Sequence, residues 1–236
     1  MTKALYMDNS YLKECSATVQ STKDGKYVIL DQTIFYPTSG GVAHDTGVMI
    51  KDGEEYPVVF VGKFDGQISH EVSKPGLEPG DKVECKINWE RRYKLMRLHT
   101  TAHVLASFFH EKAGAQITGN SIELDKARMD FSLDEMDKEK MDGYIAMANE
   151  AIGNGAPVSV HYMKRDEALK IPSMVKLANK MPPDVEILRI VDIKGIDTQA
   201  DGGCHVNDAK EIGTISLVKV ENKGKNNRRL YFMINP

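Results

Sequence analysis

A segment without glycine or proline, residues 90–112, divides the sequence into two parts of different character. Apolar residues recur within it at helical spacing, which predicts one long helix that ends at Gly114. The residues before it are arranged as short strand-like runs, and those after it alternate between strand-like and helical patterns. We therefore predict an α+β chain with a boundary near Trp89, comprising a domain of residues 1–89 and a domain of residues 90–236.

The first part of the chain is predicted to form a small β-barrel. Short runs rich in β-branched and aromatic residues are separated by Asp-Gly turns, as in antiparallel strands joined by tight hairpins. The predicted strands are residues 16–20, 26–35, 47–51, 57–64, 67–72 and 82–89. A glycine-rich segment, residues 35–47, lies among them. Its Gly40 and Gly41 either cradle a phosphate through backbone N–H groups or form a hairpin turn with positive φ.

The second part is predicted to pack helices on a mixed or antiparallel sheet. Its strand candidates are residues 158–162, 185–193, 213–220 and 230–234. Besides the long helix, helices are predicted for residues 135–152, 164–169 and 173–180.

Composition narrows the class of protein. Three cysteines, Cys15, Cys85 and Cys204, are too few and too scattered for a disulfide framework. No apolar run approaches the roughly 20 residues that span a bilayer. The net charge of -3 leaves no global basic field, so any nucleic-acid contact must be local. We expect a cytoplasmic protein with neither a membrane nor DNA as partner.

The first candidate for chemistry is the pair His99 and His103 on the long helix. Four residues make about one helical turn, so both imidazoles project from one face, as two metal ligands would. Two unrelated histidines on a helix are an equally good interpretation of this pair alone. Thr100 stands where the general-base glutamate of an HExxH metalloprotease would be, so the helix does not also supply that base.

The second candidate lies in residues 197–206, where Asp201, Cys204 and His205 surround a Gly-Gly pair. Taken alone, the segment also fits a β-turn with incidental polar residues. Together with a distant pair of helical histidines, a metal site becomes the better interpretation. Three or four ligands from two separated segments fit a catalytic zinc (Zn2+) site with one open position.

Two basic clusters and the glycine-rich segment are candidates for contacts with a nucleic-acid backbone. Most charge runs are merely solvated faces, but local basic patches are what phosphate contacts require. The predicted nucleic-acid-binding residues are Gly40, Gly41, Arg91, Arg92, Arg97, Lys223, Lys225, Arg228 and Arg229.

In this order, the motifs resemble those of the medium-length AlaX proteins, which are free-standing alanyl-tRNA editing proteins similar to the editing domain of alanyl-tRNA synthetase. The resemblance covers nearly the whole chain. The combination is specific, although no single motif would be. It is carried by Phe35-Tyr36-Pro37, Gly40-Gly41, Asp45-Thr46-Gly47, Asn88-Trp89, Arg92, Arg97, His99-Thr100, His103, Arg128-Met129-Asp130-Phe131 and Glu211-Ile212-Gly213.

The family pattern ends in Cys-Gly-Gly-Thr-His, where this chain has Asp201-Gly202-Gly203-Cys204-His205. The resemblance implies that His99, His103 and His205 bind zinc and leaves the fourth ligand open. Asp201 could ligate through oxygen, water could complete a three-histidine site, or Cys204 could ligate from a differently bent backbone. We expect Asp201 near the metal, with Cys204 beside the site or buried.

The resemblance implies hydrolysis of the ester in seryl-tRNA(Ala), and also in glycyl-tRNA(Ala), with alanyl-tRNA(Ala) spared. The enzyme would act in trans on tRNA(Ala) that carries the wrong amino acid, and without ATP. Thr118 resembles a family position that contacts serine and is the candidate partner of its hydroxyl. Zinc would either activate water or hold the substrate's amino group, and we favour the second role slightly.

Three alternatives belong to other classes. One is a zinc-stabilised tRNA-binding module without catalysis, which a closed four-ligand shell would favour. Another is an editing hydrolase of the threonyl branch, against which the glycine-rich segment argues. The third is a metallohydrolase of small molecules, for which the basic clusters would be incidental.

Overall fold

The chain divides into two compact units, Met1–Leu95 and Met96–Pro236. The structure is a computed structural model, and it describes residues 2–135, 137–171, 174, 176 and 184–235. Helix α1, Trp89–Ala113, begins in the first unit and continues in the second. The predicted α+β class and the N-terminal barrel are confirmed. The assignment of separate functions to residues 1–89 and 90–236 stays a prediction.

The first unit is built on a closed antiparallel barrel. Its strands are β1 (Lys3–Ala4), β2 (Glu14–Lys23), β3 (Tyr27–Leu30), β4 (Gln32–Thr33), β5 (Gly47–Lys51), β6 (Glu54–Phe64), β7 (Gln67–Val72) and β8 (Lys82–Ile87). The barrel order is β2-β3-β7-β6-β5-β8, and β1 and β4 form a separate parallel pair. Alternation along β8 buries Val83, Cys85 and Ile87, because successive side chains of a strand point to opposite faces.

Two-residue Asp-Gly turns set the register of the barrel hairpins. Asp52 joins β5 to β6 and Asp65 joins β6 to β7, with φ of 52° and 47°. The glycines that follow, Gly53 and Gly66, have φ of 84° and 79°. Positive φ at both central residues defines the type I′ turn, whose twist matches that of antiparallel strands. The hairpins predicted from these dipeptides are therefore confirmed.

A buried ion pair lies in the first unit. The Arg92 side chain is 1% exposed, and its Nε donates to both carboxylate oxygens of Asp45, at 3.1 and 3.0 Å. Its Nη1 and Nη2 donate to the carbonyls of Ser10 and Ile34, at 2.8 and 2.6 Å. Asp45 also accepts the backbone N–H of Tyr36 at 2.7 Å. Each charged group therefore has partners of the complementary kind, which a buried charge requires.

The second unit contains two antiparallel sheets and the part of α1 that carries His99 and His103. Its strands are β9 (Ile117–Ile122), β10 (Ala127–Phe131), β11 (Val158–Lys164), β12 (Ile187–Ile193), β13 (Asp197–Ala200), β14 (Thr214–Asn222) and β15 (Arg228–Asn235). The sheet orders are β14-β15-β10-β9 and β11-β12-β13, with every pairing antiparallel. The other helices are α2 (Lys138–Asn154) and α3 (Arg165–Ala168).

Aromatic packing joins α1 to the larger sheet and to α2. The ring of Phe109 stacks on Phe131 of β10 at 4.7 Å between centroids and meets the edge of Tyr144 of α2 at 5.2 Å. Both phenylalanines are fully buried. Burial of such a side chain stabilises the fold by about 1.5–3 kcal/mol, so these contacts hold α1 in place.

The sequence patterns missed several elements of the second unit. Strands β9, β10 and β13 were not predicted, because their apolar alternation is weak or short. Helix α2 begins three residues after the expected start, since Asp137 caps it by accepting the N–H of Lys140. Of the helix predicted for residues 173–180, only 174 and 176 are among the described residues. No helix in the described ranges is both long and apolar enough to cross a bilayer.

Candidate metal centre

Four side chains from two separated segments converge in the second unit. His99 and His103 come from α1, while Asp201 and His205 come from the loop after β13. One donor atom from each lies within 4.8 Å of the others. The side chains of the three histidines are 2–8% exposed, whereas that of Asp201 is 19% exposed. The cluster is therefore buried, and Asp201 is its most exposed member.

The Nε2 atoms of all three histidines face the carboxylate of Asp201. Oδ1 lies 3.7 Å from Nε2 of His99 and 3.9 Å from Nε2 of His103. Oδ2 lies 3.1 Å from Nε2 of His205. Three imidazole nitrogens and one carboxylate oxygen are ligands that zinc accepts in catalytic and structural sites. The donor set therefore fits zinc.

The loop around Gly203 brings Asp201 to the histidines. The Oδ2 of Asp201 accepts the backbone N–H of Gly203 at 2.5 Å. A Cβ atom at position 203 would lie 2.3 Å from Cε1 of His99, far inside van der Waals contact. Only glycine allows the loop to pass this close to the imidazole. Arg189 of β12 donates to the Asp201 carbonyl at 2.7 Å and fixes the other side of the loop.

His103 is held from behind by Asp197 on β13. The Nδ1 of His103 lies 2.9 Å from Oδ2 of Asp197, whose side chain is fully buried. That carboxylate also forms an ion pair with Lys176 and accepts a hydrogen bond from Nε2 of Gln199 at 2.9 Å. Histidine ligands of metals generally donate their second N–H to such an acceptor, which fixes the ring and leaves the other nitrogen free to bind.

Burial and neighbouring charges move the pKa values of the cluster in opposite directions. Burial lowers the pKa of His205 to about 4 and, against the attraction of Asp201, holds that of His99 well below its usual value. Burial also lowers the pKa of His103, but hydrogen bonds to Asp197 and Asp201 outweigh it and raise that pKa to about 9. Burial raises the pKa of Asp201, yet the three histidines together hold it well below its usual range.

These shifts describe a centre that favours a cation. An ionised carboxylate lies among three imidazoles, two of which stay neutral at pH 7. A metal ion would replace the proton on His103 and satisfy all four donors at once.

Comparisons with known proteins match both units. Residues 3–91 match the family described as tRNA synthetases class II (A), and residues 188–231 match the threonyl and alanyl tRNA synthetase second additional domain. The alanyl-tRNA editing protein AlaX-M of Methanosarcina barkeri is 44% identical over 241 residues, with 99% of each chain covered. The AlaX-M protein of Saccharolobus solfataricus is 44% identical over the whole of both chains.

The chain belongs to the AlaX-M family. It is also similar to part of a larger enzyme. The alanine–tRNA ligase of Staphylothermus marinus is 35% identical over 93% of this chain, which corresponds to 24% of the ligase.

The side chain that converges with the three histidines is that of Asp201, and not that of Cys204. Cys204 is buried, at 6% exposure, and its sulfur is not among the converging donor atoms. The structure thus brings together the three histidines and the aspartate expected from the sequence. Thr118 lies exposed on β9, and its hydroxyl donates to Oδ1 of Asn227 at 3.0 Å. Its contact with substrate stays a prediction.

Four of the arginines assigned to nucleic acid are engaged within the AlaX-M fold. Arg92 belongs to the buried ion pair with Asp45 described above. The partners of the others are the Ile212 carbonyl for Arg97 (2.6 Å), the Gly224 carbonyl for Arg228 (2.8 Å) and the Asp130 carboxylate for Arg229 (2.7 Å). Each therefore has a structural task that sequence spacing did not reveal.

Of the remaining nucleic-acid candidates, all but Arg91 are exposed. Gly40 and Gly41 are exposed, with φ of 59° and 83°, at the tip of a tight hairpin. The structure therefore has the hairpin turn that was one of the two interpretations of this pair. Lys223 and Lys225 are exposed in the turn between β14 and β15. Arg91 is half-buried and donates to the carbonyl of His44 at 2.8 Å.

Sequence reasoning assigned no role to several residues that support the centre. They are Thr100, Lys176, Arg189, Asp197 and Gln199. Asp197 and Gln199 lie on one buried face of β13, and their only signal in the sequence was that they directly precede the loop that carries Asp201 and His205. Lys176 and Arg189 carried no signal, because long-range pairing brings them to the site.

Proposed function

We propose that this chain is a metal-dependent hydrolase that deacylates mischarged tRNA(Ala) in trans. Its first substrate would be seryl-tRNA(Ala), with glycyl-tRNA(Ala) as a second, and it would spare alanyl-tRNA(Ala). The observation that carries the proposal is the convergence of His99, His103, Asp201 and His205 in a member of the AlaX-M family. The relatives named alanyl-tRNA editing proteins and alanine–tRNA ligase support tRNA(Ala) as partner.

The four converging residues would hold zinc, and catalysis would require the ion to accept substrate or water as a fifth ligand, as zinc in catalytic sites can. Zinc in such a site supplies Lewis acidity, either to a water molecule or to the amino group of the aminoacyl ester. Hydrolysis adds water to the ester carbonyl carbon and breaks its bond to the terminal ribose oxygen, which leaves as a hydroxyl. The chain itself holds the ligand rings in fixed orientations through Asp197 and the loop at Gly203.

Selection of serine over alanine requires a polar partner for the serine hydroxyl. A hydrophobic pocket discriminates poorly between the two, whereas a site built to hydrogen-bond a hydroxyl can discriminate by roughly 10⁴ to 10⁵. We assign this role to Thr118. Because its hydroxyl proton is donated to Asn227, its oxygen is available as an acceptor for the serine hydroxyl.

Contacts with the tRNA backbone would come from the exposed members of the predicted set. Lys223 and Lys225 on the β14–β15 turn offer flexible charges for phosphates, and the hairpin tip at Gly40 and Gly41 offers a close backbone approach. We place the protein in the cytoplasm, where charged tRNA is found.

The test is hydrolysis of seryl-, glycyl- and alanyl-tRNA(Ala) side by side, with and without a zinc chelator. We expect rapid, chelator-sensitive release of serine and no release of alanine. His103→Ala should lower the rate by more than about 100-fold, since a lost ligand should cost more than a lost partner of a ligand. The matched control is His161→Ala, which removes an exposed histidine of β11. Zinc-loaded protein that binds tRNA and releases no amino acid would favour a binding module instead.

A further inference from the structure

Thr100 lies between the two helical histidines and is completely buried. Its Oγ1 has three polar neighbours. It lies 2.9 Å from the carbonyl oxygen of Met96, 3.3 Å from the backbone nitrogen of Val206 and 3.1 Å from Nδ1 of His205. The three contacts join α1 to the ligand-bearing loop.

The chemistry of a hydroxyl assigns the protons of these contacts. A threonine hydroxyl donates one proton and accepts through two lone pairs. The Met96 carbonyl can only accept, so it takes the hydroxyl proton. The Val206 N–H can only donate, so it donates to one lone pair of the Thr100 oxygen. The remaining lone pair faces Nδ1 of His205. It accepts a hydrogen bond only when that nitrogen carries a proton.

We propose that Thr100 is a positioning residue that fixes the tautomer of His205. With its proton on Nδ1, the neutral ring presents the Nε2 lone pair to the centre, where the carboxylate of Asp201 and the other imidazoles converge. The opposite tautomer would point an N–H at the metal and would require Thr100 to turn its own proton away from Met96. The inference rests on the proposed metal centre and adds a residue to its support.

Helix α1 thereby serves the centre in two ways. It supplies the ligands His99 and His103, and through Thr100 it orients the third histidine, which arrives from a loop more than one hundred residues later in the chain. Asp197 plays the corresponding part for His103, with a carboxylate in place of a hydroxyl. Partners of this kind typically contribute 10- to 100-fold to metal affinity.

The experiment compares the zinc dissociation constants of the wild type, Thr100→Val and Thr100→Ser, measured by competition with a chromophoric chelator. Valine keeps the shape and removes the acceptor, whereas serine keeps the acceptor and loses a methyl group. We expect zinc affinity to fall by about 10- to 100-fold in Thr100→Val and to stay within about threefold of wild type in Thr100→Ser. Equal affinity of Thr100→Val and the wild type would overturn the proposal.

A second measurement does not depend on a variant that folds. In zinc-loaded, ¹⁵N-labelled wild type, NMR should find a proton on Nδ1 of His205 that exchanges slowly with water, because it is buried against Thr100. The exposed His161 provides the fast-exchanging reference. An Nδ1 proton of His205 that exchanges as fast as that of His161 would also overturn the proposal. Neither measurement uses tRNA, so failure of the editing activity would leave this test unaffected.

Discussion

Each unit of the molecule buries a cluster of charged side chains, and the two clusters differ in how donors and acceptors are matched. The cluster of the first unit is complete, because each of its donors meets an acceptor. In the first unit, the guanidinium of Arg92 donates to Asp45 and to two carbonyls, so that donors meet acceptors throughout. In the second unit, three imidazole Nε2 atoms face the carboxylate of Asp201. Their other nitrogens are turned, in His103 and His205, toward Asp197 and Thr100. Once a cation displaces the Nε2 proton of His103, only acceptors meet at the middle of this cluster.

The difference separates a structural cluster from a binding cluster. A fully matched ion pair needs nothing further and holds the backbone elements that carry it. A buried group of converging lone pairs is costly until a cation shares them, and the cost is acceptable where a cation binds. A histidine count alone would not have made this distinction, since His70 is also fully buried and has partners for both of its ring nitrogens.

The largest expected effect comes from breaking the complete cluster. Arg92→Met leaves the carboxylate of Asp45 buried without its cation, so we expect the first unit to lose about 3–5 kcal/mol of unfolding free energy. Urea denaturation followed by the fluorescence of Trp89, the single tryptophan, measures this loss. Zinc affinity of the folded protein should stay at the wild-type value. A loss below about 1 kcal/mol would contradict the structural role of the pair.

A smaller effect is expected from the support of the incomplete cluster. Asp197→Asn keeps the shape of the side chain but removes the charged acceptor of His103, so zinc affinity should fall by about 10- to 100-fold. Competition titration measures it. The matched control is Asp192→Asn, at a half-buried aspartate of β12 that accepts a hydrogen bond from Thr198. An unchanged zinc affinity in Asp197→Asn would contradict the role of Asp197 in supporting the metal centre.

The residues of the second cluster could be predicted from the sequence better than those of the first. The helical spacing of His99 and His103 and the Asp-Gly-Gly-Cys-His run located the metal site, because both are short-range motifs, and the family resemblance implied the three histidine ligands. The choice among Asp201, Cys204 and water stayed open until the structure placed Asp201 with the histidines. The Asp-Gly hairpins were equally accessible, since a type I′ turn has a local sequence preference.

The ion pair could not be predicted, because Arg92 and Asp45 are brought together by folding rather than by any local motif. For the same reason, several arginines that sequence reasoning assigned to nucleic acid have partners inside the fold. Strand β13 is short, and its polar residues Asp197 and Gln199 face inward, so its pattern does not resemble a strand with an apolar buried face.

The smallest predicted effect concerns the matched histidine of the first unit. Burial lowers the pKa of His70 to about 4, below its usual 6.5, so the folded state favours the neutral ring. Stability from this group is complete above about pH 6.5 and is lost as the pH falls toward 4. Between pH 7 and pH 5.5 we expect a loss of about 1 kcal/mol.

Urea denaturation followed by Trp89 fluorescence at several pH values measures this dependence, with His70→Gln as the reference that lacks the titrating ring. If the unfolding free energies of wild type and His70→Gln change equally with pH over this range, the lowered pKa of His70 is wrong.

The most direct test of the incomplete cluster is X-ray absorption at the zinc edge of the zinc-loaded full chain. We expect one zinc per chain with only nitrogen and oxygen neighbours at about 2.0–2.2 Å, from three histidines and Asp201. A sulfur neighbour at about 2.3 Å would make Cys204 a ligand and contradict the geometry described for Asp201. Failure of the chain to retain zinc would contradict the metal centre itself.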